Sequence, residues 1–164
     1  MPKVIKMSLS TSSIRDAISE LKVFKTSLDV KKNKLLERLG EIGVKEASVR
    51  FTTAMYDGVN DSHVTLQPVN NGYAIVAEGH AVAFIEFGSG VYHNTGEPYP
   101  DPRPEGIVGI GEYGKGYGKR QTWVYRDEAG EKVFTHGNPA AMPMWYASEE
   151  MRSKIEKISK EVFG

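Results

Sequence analysis

The chain has 164 residues, 40% of them hydrophobic and 26% charged, with 21 Lys and Arg against 21 Asp and Glu. That length suits one domain, and that hydrophobic content excludes wholesale disorder. A net charge of zero weighs against a nucleic-acid coat protein, which needs a basic surface.

The charge is sorted into blocks. Residues 1–50 hold 11 Lys and Arg and 6 acids, a net +5. Residues 51–100 hold no Lys or Arg and five acids: Asp57, Asp61, Glu78, Glu86 and Glu97. Residues 101–164 balance at 10 against 10. Such blocks are either faces of one fold or complementary surfaces that guide subunits together. The chain has no cysteine, which excludes disulfides and thiolate metal sites. No apolar run approaches a membrane span, and no signal-like apolar segment opens the chain, so a soluble protein made without export is expected.

In chain order, Ile5, Met7 and Leu9 alternate and predict a strand over 3–9. Ser13 then opens a helix with Ile14, Ala17, Ile18 and Leu21 at helical spacing. A link around Ser27–Asp29 leads to a second helix with Leu35, Leu36, Leu39 and Ile42, weakened by Gly40 and Gly43. Alternation on either side of Asn70-Asn71-Gly72 predicts a hairpin, because Asn and Gly tolerate positive φ. His80 to Phe87 is apolar and short, a helical turn or a buried strand.

Residues 88–120 contain nine glycines and four prolines, a long insertion of a kind usually functional or ordered by a partner. A second hairpin follows, Thr122 to Arg126 returning over Lys132–Thr135. Pro143 opens a final amphipathic helix, with Met144, Ala147, Met151, Ile155, Ile158 and Val162 on one stripe. The fold class is α+β in a single domain over 1–164. A mostly antiparallel β-sheet is flanked by N-terminal helices and a C-terminal amphipathic helix, and a long Gly/Pro-rich loop is inserted.

Catalytic chemistry is poorly represented, and an enzyme is not expected. His63, His80, His93 and His136 are scattered without metal-ligand spacing, so neither a metal nor another cofactor is expected. Phe87-Gly88-Ser89-Gly90 falls one residue short of a nucleophile elbow. Gly109-Ile-Gly111-Glu-Tyr-Gly114 matches a dinucleotide fingerprint, but the strand before it and the helix after it are missing. Tyr113, Lys115, Tyr117, Lys119 and Arg120 interleave cations with aromatics on glycine-rich backbone. That pattern suits a subunit contact first and a nucleic acid second, since three cations give limited phosphate affinity.

Ala83-Phe84-Ile85-Glu86-Phe87-Gly88-Ser89-Gly90 resembles the (Y/F)-(V/I)-E-(F/Y)-G-(T/S) signature of a tailed-phage morphogenesis family. These are the head–tail joining, or tail-completion, neck proteins of the Hong Kong 97 type. Gly137-Asn138-Pro139-Ala140-Ala141-Met142-Pro143-Met144-Trp145-Tyr146-Ala147 resembles the family's second landmark, carried by Pro139, Pro143 and Trp145. The order of elements matches along essentially the whole chain, with Ser89 where Thr is commoner.

The resemblance implies a structural subunit of the neck that completes or caps the tail, with a hexameric ring as the family-level expectation. Its partners would be further copies of itself and the adjoining head–tail connector and tail proteins. DNA contact would be secondary and no membrane would be involved. It would reside in a virion neck or tail-like particle assembled in the bacterial host cytoplasm. Glu86, Phe87, Gly88, Gly90, Tyr113, Lys115, Tyr117, Lys119 and Arg120 are the expected interface residues. Glu86 is expected either to anchor the following loop, by accepting backbone amides or pairing with a base, or to be the exposed neighbour of a core made by Phe84, Ile85 and Phe87. The alternative function is a small nucleic-acid-binding module using the Lys/Tyr/Gly-rich loop.

Overall fold

A computed structural model describes residues 4–6, 8–89, 122–127 and 129–164. Its elements run α1 (Thr11–Thr53), β1 (His63–Val69), β2 (Gly72–Glu78), α2 (Val82–Phe87), β3 (Trp123–Arg126), β4 (Lys132–Thr135) and α3 (Pro143–Phe163). The class is α+β, and the strands pair antiparallel as two separate ribbons, β1 with β2 and β3 with β4. The insertion expected over 88–120 lies almost wholly outside the described residues.

The N-terminus departs from the sequence expectation in two ways. No strand forms among the described residues of 3–9, where Val4 and Leu9 are exposed. An alternating run with no partner strand has no ladder to join. The two expected helices are one helix of 43 residues, about 65 Å long at 1.5 Å per residue. Ser10, rather than Ser13, caps it, its Oγ accepting from the Ser13 amide. Ser27–Asp29 contains no Gly or Pro, and the neighbouring Thr26 hydroxyl donates to the Lys22 carbonyl within the helix. Nothing there forces a break.

Gly40 and Gly43 are what the rest of the fold rests on. A Cβ on Gly40 would stand 2.5 Å from Leu66 Cδ1. One on Gly43 would collide with Ile75 Cδ1 and lie 2.7 Å from Met151 Sδ. The β1–β2 ribbon and α3 therefore close on α1 where α1 has no side chain. In the ribbon, Leu66 pairs with Ile75 and Val69 with Gly72, and Asn71 takes φ 65° in the two-residue turn.

α3 lies antiparallel to α1. Arg50 stacks 3.8 Å from the Tyr146 ring centroid, Arg38 bonds Glu161 at 2.6 Å, and Lys31 sits 5.9 Å from the Phe163 ring centroid. Of the expected stripe on α3, Ala147 and Ile158 are buried and Met144, Met151 and Val162 half-buried, while Ile155 is exposed; the Glu150–Lys154 and Glu156–Lys160 pairs are formed. Ala47, Phe51, Ala81, Ile85 and Ala147 form the core, under the C-terminal half of α1. The N-terminal half, Thr11 to Val30, extends past the end of α3. No helix among the described residues is long and apolar enough to cross a membrane.

Candidate functional site

The site is a junction between the two landmark segments. His80–Phe87 resolves to a short helix, α2, and its start is held by a residue distant in sequence. The Asp61 carboxylate accepts from the Ala81 amide at 2.9 Å, and from the His80 amide at 2.8 Å and the His80 ring at 2.9 Å. These bonds, the Ala81 amide foremost, hold the Asp61 carboxyl well below the usual carboxylate range. Gly79, at φ 136°, lets the chain pass close to the Asp61 carbonyl.

α2 delivers Glu86 into the interior, where it is 3% exposed. Its carboxylate accepts from the Met144 amide at 2.8 Å and the Trp145 amide at 3.2 Å. Those amides belong to the first turn of α3, where Pro143 has no N–H and Met142 takes a left-handed φ of 52°. An anion there satisfies two donors and meets the positive end of the α3 dipole.

Asn138 laces the same segments a turn further out. Its Nδ2 donates to the Phe84 carbonyl at 2.7 Å, and its Oδ1 accepts from the Ser89 hydroxyl at 2.8 Å. Ser89 and Asn138 also exchange backbone hydrogen bonds, and the Ala141 amide donates to the Ile85 carbonyl. Gly88 turns the chain at φ 70° and ψ 175°, a region reserved for glycine. A cleft of about 320 Å³ adjoins this lacing, lined by Tyr56, Phe84, Ser89, Tyr125, Thr135 and Asn138 among others. Burial pushes the Tyr56 phenol up, helped by the nearby Tyr125 and Asp61.

Glu86 does accept backbone amides, those of Met144 and Trp145 in α3; the loop it is expected to anchor lies almost wholly outside the described residues. Ile85, Glu86, Phe87 and Gly88 are all buried within the chain. Their part in any subunit interface is therefore to set the exit of the chain at Ser89, not to touch a neighbour with exposed side chains. Gly90, Tyr113, Lys115, Tyr117, Lys119 and Arg120 lie outside the described residues. Of the second landmark, Pro143 is buried, and Pro139 and Trp145 are half-buried beside the junction.

Each described histidine has a partner of its own. His63 pairs with Glu78, His80 with Asp61, and His136 with the Thr122 hydroxyl. No group of three or more His, Asp or Glu stands ready for a metal among the described residues. Sequence reasoning gave no role to Asn138 or Asp61. The signal was present in both: an Asn inside a landmark of small residues, and an Asp just ahead of a strand with no helix of its own to cap.

Compared with protein-family models, curated proteins and solved structures, the chain matches none.

Proposed function

We propose that this chain is a structural morphogenesis subunit of a tailed-phage or prophage head–tail neck, completing or capping the tail as a member of a ring. One observation carries the reading. The two segments on which the resemblance rests act as a single unit, joined by Glu86 to Met144 and Trp145 and by Ser89 to Asn138 across 49 positions. Side chains spent on such a junction serve the shape of a subunit rather than a reaction.

Charge supports the ring. α1 carries the basic excess, while Asp57, Asp61 and Glu78 stand exposed on the segments that follow it. A subunit with unlike charged surfaces favours contacts between unlike patches, which close into a ring when the rotation permits. The interleaved Tyr113–Arg120 segment would supply contacts to a neighbouring subunit, with DNA in second place.

The test is deletion of the gene in the producing phage or prophage, with mass spectrometry of purified particles from the intact one. The proposal expects the chain in the particles, and unjoined heads and tails in the deletion. Joined, infectious particles lacking the chain would overturn it.

A further inference from the structure

Along the N-terminal half of α1 a row of large apolar side chains stays exposed, although Ala17 beside it is buried. Ile14, Leu21, Leu28, Leu35 and Ile42 recur at every seventh position, the spacing of a helix-pairing seam. From Leu35 onward this stripe is half-buried, beside the β1–β2 ribbon and α3. Toward the N-terminus α3 has ended, and Ile14, Ile18, Leu21 and Leu28 are 37%, 48%, 54% and 40% exposed. Four large apolar side chains in one row are more than the scatter expected of an ordinary surface.

We propose that this arm pairs with the same arm of a second copy, antiparallel and centred on Leu21. Three observations choose that occupant. The first is length. The arm runs from Thr11, where α1 begins, to Lys31, where Phe163 closes over it, and Leu21 is its midpoint. Two such arms laid antiparallel match each other in length from end to end.

The second is register. About Leu21, Ile14 of one copy faces Leu28 of the other, and Leu21 faces Leu21. Lys25, the one cation in the row, then lies opposite Ala17 and beside Ile18 of the second copy, where its aliphatic stem packs and its head reaches water. A parallel pair would instead set Lys25 against Lys25 and Lys32 against Lys32.

The third is charge. Beside the seam, the antiparallel register sets Arg15 opposite Ser27 and within about 3 Å of helix rise of Asp29 of the other copy, twice, against one approach of Lys22 to Lys22 at the axis. The contact is isologous, using one patch on both copies, and does not itself close a ring. It therefore goes beyond the neck reading and stands or falls separately from it.

The chain has no cysteine, so single cysteines report the pairing directly. Leu21→Cys, Ile14→Cys and Leu28→Cys would be treated with a bismaleimide spanning about 8–10 Å, the usual distance between packed helix axes. Leu21→Cys alone is expected to link two copies. Ile14→Cys alone and Leu28→Cys alone are not, since about 21 Å of helix separates each from its twin. The two mixed together are expected to link. In sedimentation, Leu21→Asp should halve the mass of the wild-type pair while circular dichroism shows the same helix content. Self-linking by all three variants would mean a parallel pair. No linking by any, or a monomeric wild type, would mean another occupant. Either outcome overturns the proposal, and neither bears on whether the chain is found in particles.

Discussion

Glu86 and Trp145 stand 59 positions apart, and the buried carboxylate of the first accepts the backbone amide of the second at 3.2 Å. The Met144 amide meets the same carboxylate at 2.8 Å. α3 thus begins where α2 ends, on a single side chain. Because α3 in turn closes over α1, this contact links the middle of the chain to both long helices.

Removing that carboxylate should loosen the start of α3. Glu86→Ala leaves the two amides without this acceptor in a buried place, at a cost of about 1–3 kcal/mol. Glu86→Gln keeps one acceptor oxygen but loses the charge that the helix end favours, and should cost less. Urea denaturation of both variants checks this. An Ala variant as stable as wild type would show that the carboxylate does not hold α3.

Gly43→Ala sets two effects against each other. In an exposed helix the change would stabilise by up to about 1 kcal/mol, because glycine is a poor helix former. Here the new methyl meets Ile75 and Met151, and overpacking of this kind costs about 1–3 kcal/mol. A net loss in melting temperature is expected. A gain would mean that the ribbon does not sit this close to α1.

At Gly88 the conflict is in the backbone itself. With φ at 70° and ψ at 175°, any side chain is strained, at about 1–3 kcal/mol. Gly88→Ala should therefore destabilise the fold, and should also shift the amide resonances of Ser89 and Asn138, whose pairing depends on that turn. Unchanged resonances would place the strain elsewhere.

The Asp61 clamp makes a prediction about acid. The Asp61 carboxyl is lowered in the folded chain by the Ala81 amide, the His80 amide and the His80 ring. A lowered folded pKa stabilises fully above the ordinary carboxylate value of about 4, and the contribution is lost as pH falls from there. Wild type should lose melting temperature below pH 4 more steeply than Asp61→Asn. Parallel curves for the two would mean that Asp61 does not sense the fold.

These residues also show how far the chain could be read without its structure. Both hairpins, α3 with its stripe and ion pairs, and the α+β class follow from local signals such as Asn71-Gly72 and Pro143. α1 was legible as two helices rather than one, because Ser27 and Asp29 are weak helix formers that read locally as a link; what was not legible is why Gly40 and Gly43 stand in it. Their reason is the approach of Leu66, Ile75 and Met151, which lie far along the chain. Glu86 was legible as a residue worth naming and as an acceptor of amides. That the amides were Met144 and Trp145 was not, since nothing local points across 58 positions. The acidic block changes meaning in the same way. Asp61 and Glu86 hold the fold, so a test of assembly by charge reversal belongs on Asp57 and Glu78, which are exposed.

Electron cryomicroscopy of intact particles is the sharpest test of the proposal that this chain is a subunit of the neck. α1, a rod of about 65 Å, is a feature recognisable at modest resolution. The account predicts a ring of such rods between the head and the tail tube, with α3 alongside the C-terminal half of each. Particles whose neck holds no such rods, while the chain remains in the supernatant, would contradict it.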